Sequence, residues 1–414
     1  MRILHLADLH LGTELYGHYD STTGSSSRLS DFTRMLDIAV EDAIEKRVDL
    51  FLFAGDAYKT RDPSPTQQRE LAQRLRRLID AEIPVFLLTG NHDMPNAMAR
   101  ATSLDIFGAF SPSNFVVANR PGAHKLQTRS GPLYVVAIPW LTRSVLLARD
   151  ENKNLPQEDV HRMMLEKLDQ ALDLYLGQIP DDDTPAVLAL HGTIQGAEYS
   201  AERSTMLSQD LLIPRSIISR PRFSYVALGH IHKYQEVYAR PLTVYAGSPE
   251  RIDFGEEKED KGYVLVNLDR QGARHQFIKL PTRPFITFKV ECTGEDPTAQ
   301  ALDVLREKPV AGAIVRVRAQ LSPANQGRFR EGEIRQALAE ASYVVVRREV
   351  EAAWRDTQRG KQFSTAMSPR EALSAFLDQA KPDLPASRKD KLLEWGDSLI
   401  AEVLGQGMDE GVGS

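Results

Sequence analysis

At 414 residues the chain exceeds one ordinary domain and is long enough to bury a large core. With 42% hydrophobic and 26% charged residues it reads as a soluble globular protein, and no uninterrupted run reaches the roughly 18 apolar residues that a membrane helix needs. A net charge of −6 argues against a protein that coats DNA by charge alone. The single cysteine, Cys292, excludes an intrachain disulfide and fits a reducing cytoplasm. Met1 leads directly into an apolar run, which leaves no room for a cleaved signal.

Residues 2–7 (RILHLA) form that run and read as a buried strand, with His5 packed or hydrogen-bonded inside it; Asp8-Leu9-His10 follows. Residues 17–28 (GHYDSTTGSSSR) read as a mobile loop near a site mouth. An amphipathic helix is expected at 29–47, a strand at 49–54 leading into Gly55-Asp56, a helix at 66–81, and a strand at 85–89 leading into Gly90-Asn91-His92-Asp93. Arg74, Arg76 and Arg77 on the second helix read as a solvated face before they read as a DNA contact. A third helix is expected at 158–176. Strands at 186–190 and 225–228 lead into His191-Gly192 and Gly229-His230-Ile231-His232, and further strands are expected at 242–246 and 262–268. Alternation of strand and helix followed by paired strands predicts two packed sheets flanked by helices, not one doubly wound sheet. His18, His124, His161 and His275 have no metal-type neighbours at useful spacing and read as ordinary surface or loop residues.

Pro281-Thr282-Arg283-Pro284 reads as a boundary closing a domain over 1–281. A small second α/β domain over 282–350 follows, with strands at 285–292, 313–319 and 343–349 and helices at 297–308 and 331–341. From Arg283 to Lys361 there are 14 Lys/Arg against 11 Asp/Glu, so this stretch is mildly basic in an acidic chain. A polar linker at 351–367 precedes an amphipathic helix pair over 368–407. Ser368-Pro369 with Glu371 opens the first helix as a capping box, and Leu373, Phe376 and Leu377 form its stripe. Leu392, Leu393, Leu399, Ile400, Val403 and Leu404 form the stripe of the second, over 387–404. The pair suits either a partner helix or the chain's own body. Residues 408–414 read as a disordered tail.

Five strand ends thus carry metal-type side chains, where open α/β sheets collect function. Two divalent cations about 3.5–4 Å apart can clamp the attacking and leaving oxygens of a phosphoryl displacement. Such a pair needs mixed nitrogen and oxygen donors and a carboxylate that bridges. The motifs supply the carboxylates of Asp8 and Asp56, the imidazoles of His10, His191, His230 and His232, and the amide oxygen of Asn91. Imidazole with carboxylate, and no thiolate, suits manganese, iron or zinc. Asp8 and His10, at i and i+2 of an extended segment, point to one side and can approach one ion. The same holds for His230 and His232 unless a turn sends them to different ions. Gly55, Gly90 and Gly229 each precede a proposed ligand and allow the main chain to come close. His92 is the candidate to assist the leaving oxygen, with Asp93 a candidate to orient it.

The motif order resembles the calcineurin-like metallophosphoesterases, and the start Ile3-Leu4-His5-Leu6-Ala7-Asp8-Leu9-His10-Leu11-Gly12 is most similar to the SbcD-type DNA-repair nucleases among them. The similarity covers residues 1–280 well and the remainder loosely. It implies a four-layer α/β/β/α sandwich with a small α/β cap and C-terminal helices. It implies two divalent ions, manganese by preference: one on Asp8, His10, Asp56 and His232, the other on Asp56, Asn91, His191 and His230. Asp56 bridges, and His92 is the catalytic histidine. It further implies exonuclease and endonuclease action on double- and single-stranded DNA, in the cytoplasm at the nucleoid, by a homodimer whose C-terminal helices grip the coiled coil of an SbcC-type ABC ATPase. The cap would help choose the DNA substrate. The sequence departs from the family at Lys59, three residues after the bridging Asp, where relatives often carry His or Asp linked to positioning a DNA end. Lys59 could serve a phosphate as a point charge. The alternatives are a phosphatase or cyclic-nucleotide phosphodiesterase on the same core, or a DNA-end-binding scaffold.

Overall fold

The computed structural model describes residues 1–19, 21, 24–95, 100–109, 113–142, 156–199, 210–269, 272–306, 309–350, 369–380 and 385–405. In chain order the strands begin with β1 Arg2–Leu6, β2 Leu50–Ala54, β3 Val85–Leu88, β4 Phe115–Ala118, β5 Gly122–Thr128, β6 Gly131–Ile138, β7 Ala186–His191, β8 Thr193–Ile194 and β9 Leu212–Ile213. They continue with β10 Tyr225–Gly229, β11 Gln235–Ala239, β12 Leu242–Tyr245, β13 Gly262–Asp269, β14 Gly272–Lys279, β15 Phe285–Cys292, β16 Ile314–Leu321 and β17 Tyr343–Val350. The helices are α1 Ser27–Glu45, α2 Pro65–Asp80, α3 Asp105–Ala109, α4 Gln157–Leu176, α5 Arg215–Ile218, α6 Pro297–Leu305, α7 Glu331–Ala337, α8 Pro369–Ala380 and α9 Ala386–Gly405.

Two six-stranded sheets carry the fold, one in the order β14-β13-β1-β2-β3-β4 and the other β11-β12-β10-β7-β6-β5. In each, the central strands are parallel (β1 to β4; β12, β10, β7, β6) and the remaining partners are antiparallel. Strands buried on both faces read as continuous apolar runs, which is why β1, β2, β3, β7 and β10 are visible as such in the sequence. Alternate residues serve different layers. Leu4, Leu6, Phe51 and Phe53 pack under α1 and α2 through Phe32, Leu36, Leu71 and Leu75. Ile3, Leu50, Leu52 and Phe86 meet Val135, Val187, Tyr225 and Val244 of the other sheet. Leu188, Leu190, Val226 and Leu228 pack under Val160, Met164, Leu168 and Leu172 of α4. Helix, sheet, sheet and helix are therefore stacked as four layers, the α/β/β/α sandwich expected from the sequence.

Local chemistry explains the helix starts. Ser64 and Gln67 form a capping box at the head of α2 with Pro65 in the first turn. Arg74 and Arg77 pair with Asp37 of α1 at 2.7 and 2.8 Å, while exposed Arg76 pairs with Asp80 of its own helix at 2.6 Å. The loop expected over 17–28 loses its end to α1, whose Arg28 is wholly buried between Phe32 and Phe285 with Asp31 as its ion partner. A long cation at an amphipathic helix start reads as loop because its burial depends on a phenylalanine far away in the chain.

The chain divides into two compact units, one of Met1–Phe288, Leu305–Val317 and Arg335–Val346, the other of Lys289–Val304, Arg318–Ile334 and Arg347–Ser414. β15, β16 and β17 form a three-stranded sheet in that order, close to the strands expected after the Pro281 boundary. Within the second unit α8 packs along α9, burying Leu377 while Phe376 and Trp395 stay exposed. The expected linker at 351–367, Ser368 and the tail at 408–414 lie outside the described residues. Among the described residues no helix is long and apolar enough to cross a membrane.

His5 stands between the sheets, its Nδ1 2.9 Å from the Tyr225 hydroxyl. Burial lowers its pKa to about 3, so the neutral ring is the folded form. An unfolded histidine takes up its proton near pH ~6.5. Stability is therefore intact above that pH and is lost as the pH falls toward 3, by about 1.4 kcal/mol per unit for this group. His5→Gln keeps a polar partner for Tyr225 without titrating. The difference in melting temperature between wild type and His5→Gln, measured from about pH 7 down to about pH 4.5, is expected to move steadily in favour of the variant; a constant difference would contradict this account.

Candidate metal centre

The carboxyl ends of β1, β2 and β3 from one sheet and of β7 and β10 from the other bring the five motifs together. The loops after β1 and β2 zip to each other through the backbone: Asp8 N–H donates to Gly55 O at 2.9 Å and His10 N–H to Asp56 O at 3.0 Å. The Asp8 carboxylate reaches the second sheet, accepting from His230 N–H at 2.9 Å. Asp93 is wholly buried, and its carboxylate accepts from the N–H groups of Ala57, Tyr58 and Gly90 at 3.2, 3.2 and 3.0 Å. It ties the loop after β3 to the loop after β2.

Asp56 lies at the middle. Its Oδ1 accepts from His92 N–H at 2.8 Å, and its Oδ2 is 3.6 Å from His10 Nε2 and 3.4 Å from His191 Nε2. Two groups of possible donors share it, one with His10 and His92, the other with His191 and His230. Asn91 Oδ1 belongs beside the second group, 3.0 Å from His191 Nε2 and 3.1 Å from His230 Nδ1. His232 belongs beside the first, its Nε2 3.0 Å from His10 Nε2. Asp8, expected as a ligand, is adjacent, and its carboxylate accepts from His230 N–H while keeping lone pairs free for a cation.

This arrangement fits divalent cations. Two imidazole nitrogens facing each other across 3.0 Å, as in His10 and His232, cannot satisfy one another when both rings are neutral in the same tautomer. His10 also keeps Nδ1 buried with no hydrogen-bond partner. Burial holds His10, His92 and His230 below the usual histidine range, leaving neutral rings of the kind that bind metal. Burial also lifts the Asp8 carboxyl to about 6. Burial works against the charge on Asp56, but His191, through its charge and its hydrogen bond, outweighs burial and holds that carboxyl well below its usual range. The partner feels the reverse: burial disfavours charged His191, yet Asp56 carries it up to about 9. Asp56 and His191 thus favour each other's charged forms, and a cation approaching either donor would compete for that pairing.

The profile of the family described as calcineurin-like phosphoesterase matches residues 1–234. The chain belongs to that family. It is 27% identical over 321 residues to the SbcD component of the nuclease SbcCD from Rhodobacter capsulatus, covering 74% of this chain and 75% of that one. It is 27% identical over 309 residues to the DNA double-strand break repair protein Mre11 of Archaeoglobus fulgidus, covering 70% of this chain but only 62% of that one. A dimetal phosphatase from Danio rerio aligns over 67% of this chain and 98% of its own at 11% identity, with a TM-score of 0.39, too weak a likeness to carry argument.

In this calcineurin-like phosphoesterase several site residues lie outside every sequence motif. His230 Nε2 meets Asp210 Oδ2 at 3.0 Å, His232 Nδ1 meets Glu256 Oε1 at 2.8 Å, and His191 Nδ1 meets the Ala54 carbonyl at 2.7 Å. Trp140 lies tilted on His230 with ring centroids 4.7 Å apart. The expectation that Asp93 orients His92 is corrected: the carboxylate is taken up by backbone N–H groups, and the His92 Nδ1 meets the Lys59 carbonyl at 2.9 Å. Lys59 therefore acts on the site through its backbone, while its ammonium, after burial, is one of the charges that keeps His10 and His92 neutral.

Backbone angles complete the site. Asp8, His10, Asp56 and His230 all sit at positive φ (52°, 46°, 58° and 103°), a region that non-glycine residues occupy rarely. A Cβ on Gly90 would overlap both Asp56 Oδ1 and its backbone nitrogen. Gly90→Ala must therefore push the Asp56 carboxylate out of place, at a stability cost of about 1–3 kcal/mol typical of overpacking. Calorimetric titration with Mn²⁺ is expected to show at least one site lost in a variant that keeps its circular dichroism; wild-type binding would contradict the close approach.

Proposed function

We propose that this chain is a metal-dependent DNA nuclease that hydrolyses phosphodiester bonds at DNA ends or hairpins, as the catalytic subunit of an SbcCD-type repair assembly. The observation that carries it is the pair of donor groups converging on Asp56 from two sheets. The similarity to an SbcD and to an Mre11 supports DNA as the substrate. Two divalent ions, Mn²⁺ by preference, would supply Lewis acidity toward the phosphate and a water of lowered pKa. His10, His232 and Asp8 would serve one ion, and Asn91, His191 and His230 the other, with Asp56 shared. His92, its Nδ1–H given to the Lys59 carbonyl, lies beside His10 and Asp56, and it would have to take up a proton on Nε2 before passing it to the leaving sugar oxygen, the role assigned to it. Lys59 and Asp93 would hold the loops that position substrate.

The domain over 282–350 would cap the DNA-binding face, and the helix pair over 368–407 would bind an SbcC-type ABC ATPase. Phe376 and Trp395, exposed on α8 and α9, suit that partner. Such a protein would work as a homodimer in the cytoplasm at the nucleoid, on double-stranded ends and on single strands.

The test is cleavage of a linear blunt duplex with Mn²⁺ and with EDTA. Wild type is expected to degrade it only with metal, and Asp56→Ala to lose activity altogether; metal-dependent cleavage by Asp56→Ala would refute the bridge. His92→Ala is expected to bind Mn²⁺ with wild-type stoichiometry while losing about 10²–10⁴-fold in turnover, the usual worth of a positioned proton donor. Loss of metal in that variant would make His92 a ligand instead. A duplex left intact while bis-p-nitrophenyl phosphate is hydrolysed would favour the small-substrate phosphodiesterase reading.

A further inference from the structure

We infer that Glu256 is a positioning residue for the metal centre: it sets the tautomer and aim of His232, and is itself locked by the buried ammonium of Lys261. The inference rests on the two-ion reading of the site. The segment Gly255-Glu256-Glu257-Lys258-Glu259-Asp260-Lys261 has the look of a solvated charge run, yet Glu256 and Lys261 are each only 1% exposed. Charged side chains are almost never so buried unless they are paired.

The geometry assigns both carboxylate oxygens. Oε1 faces His232 Nδ1 at 2.8 Å, while Oε2 accepts from Ile252 N–H at 2.9 Å and lies 2.9 Å from Lys261 Nζ. The Lys261 ammonium goes on to donate to the His232 carbonyl at 3.0 Å and to Glu259 Oε2 at 2.9 Å. Lys261 therefore holds the ligand histidine twice, through its side chain's partner and through its backbone. A carboxylate can only accept, so His232 carries its proton on Nδ1 and turns the lone pair of Nε2 toward His10. That is the form a metal requires, and an outer carboxylate on a ligand histidine commonly changes metal affinity by about 10–100-fold.

Glu256→Gln tests this because the amide has only one oxygen. Two donors, Ile252 N–H and Lys261, compete for it on the Oε2 side. The amide nitrogen then faces His232 and drives the ring to the Nε2–H tautomer. In metal-free protein, long-range proton–nitrogen correlation spectra of ¹⁵N-histidine are expected to show His232 switching from Nδ1–H to Nε2–H. Titration calorimetry with Mn²⁺ is expected to show two sites in wild type and one of them weakened about 10–100-fold in Glu256→Gln. Glu259→Gln, which also touches Lys261 but not His232, is expected to leave tautomer and affinity unchanged. Should Glu256→Gln fold poorly, Glu256→Gln with Lys261→Met removes the buried charge pair together, a change often tolerated, and the same weakening is expected. Unchanged Mn²⁺ binding in a folded Glu256→Gln, or equal weakening in Glu259→Gln, would overturn the positioning role. A wild type that binds no Mn²⁺ would instead bring down the two-ion reading on which it rests.

Discussion

The Asp56 carboxylate is the constraint on which the rest depends. It is 1% exposed, and an isolated carboxylate taken that far from water would cost several kcal/mol even after relaxation. What makes it tolerable is the convergence of His92 N–H, His10 and His191 on its two oxygens. Those partners come from both sheets. The sandwich therefore cannot slide one sheet over the other without stripping the carboxylate of its compensation, and the site cannot loosen without loosening the carboxyl edges of the sheets. Asp8 repeats the logic, reaching from the end of β1 to the backbone of His230.

Local strain is the counterpart of that convergence. Asp8, His10, Asp56 and His230 occupy left-handed backbone angles, each at about 1–3 kcal/mol when the residue is not glycine. Such angles persist only where the surroundings over-determine them. Here the strained residues follow closely on strands whose two faces are packed into different cores, so the chain leaves the sheet in one fixed direction. The glycines do a complementary task. Gly90 lies where the Asp56 side chain, and Gly229 where the Ala54 carbonyl, comes too near for a Cβ.

Much of this is legible in the sequence, because strands buried on both faces announce themselves as apolar runs. The strand expected at 49–54 is Leu50–Ala54, and the helix expected at 158–176 is Gln157–Leu176. β15, β16 and β17 fall close to their expected places after Pro281-Thr282-Arg283-Pro284. The antiparallel edge strands β5, β11 and β14 are not legible, since half-exposed partners such as GAHKLQT carry a polar face that blurs into loop. Asp210 and Glu256 are illegible for another reason. Their meaning lies in which histidine they meet in space, and a glutamate inside GEEKEDK has no local sign that it will be buried.

Gly229-His230-Ile231-His232 shows how far spacing alone can carry an argument. Two histidines at i and i+2 of an extended strand would share one side, but φ of 103° at His230 breaks the extension. His230 then presents Nδ1 to Asn91, with Nε2 on Asp210, whereas His232 presents Nε2 to His10, with Nδ1 on Glu256. One short motif thus offers opposite ring nitrogens to the two donor groups flanking Asp56. Each choice is enforced by a carboxylate from a different part of the chain, Asp210 before β10 and Glu256 after β12. Residues outside every motif therefore decide which way the motif faces.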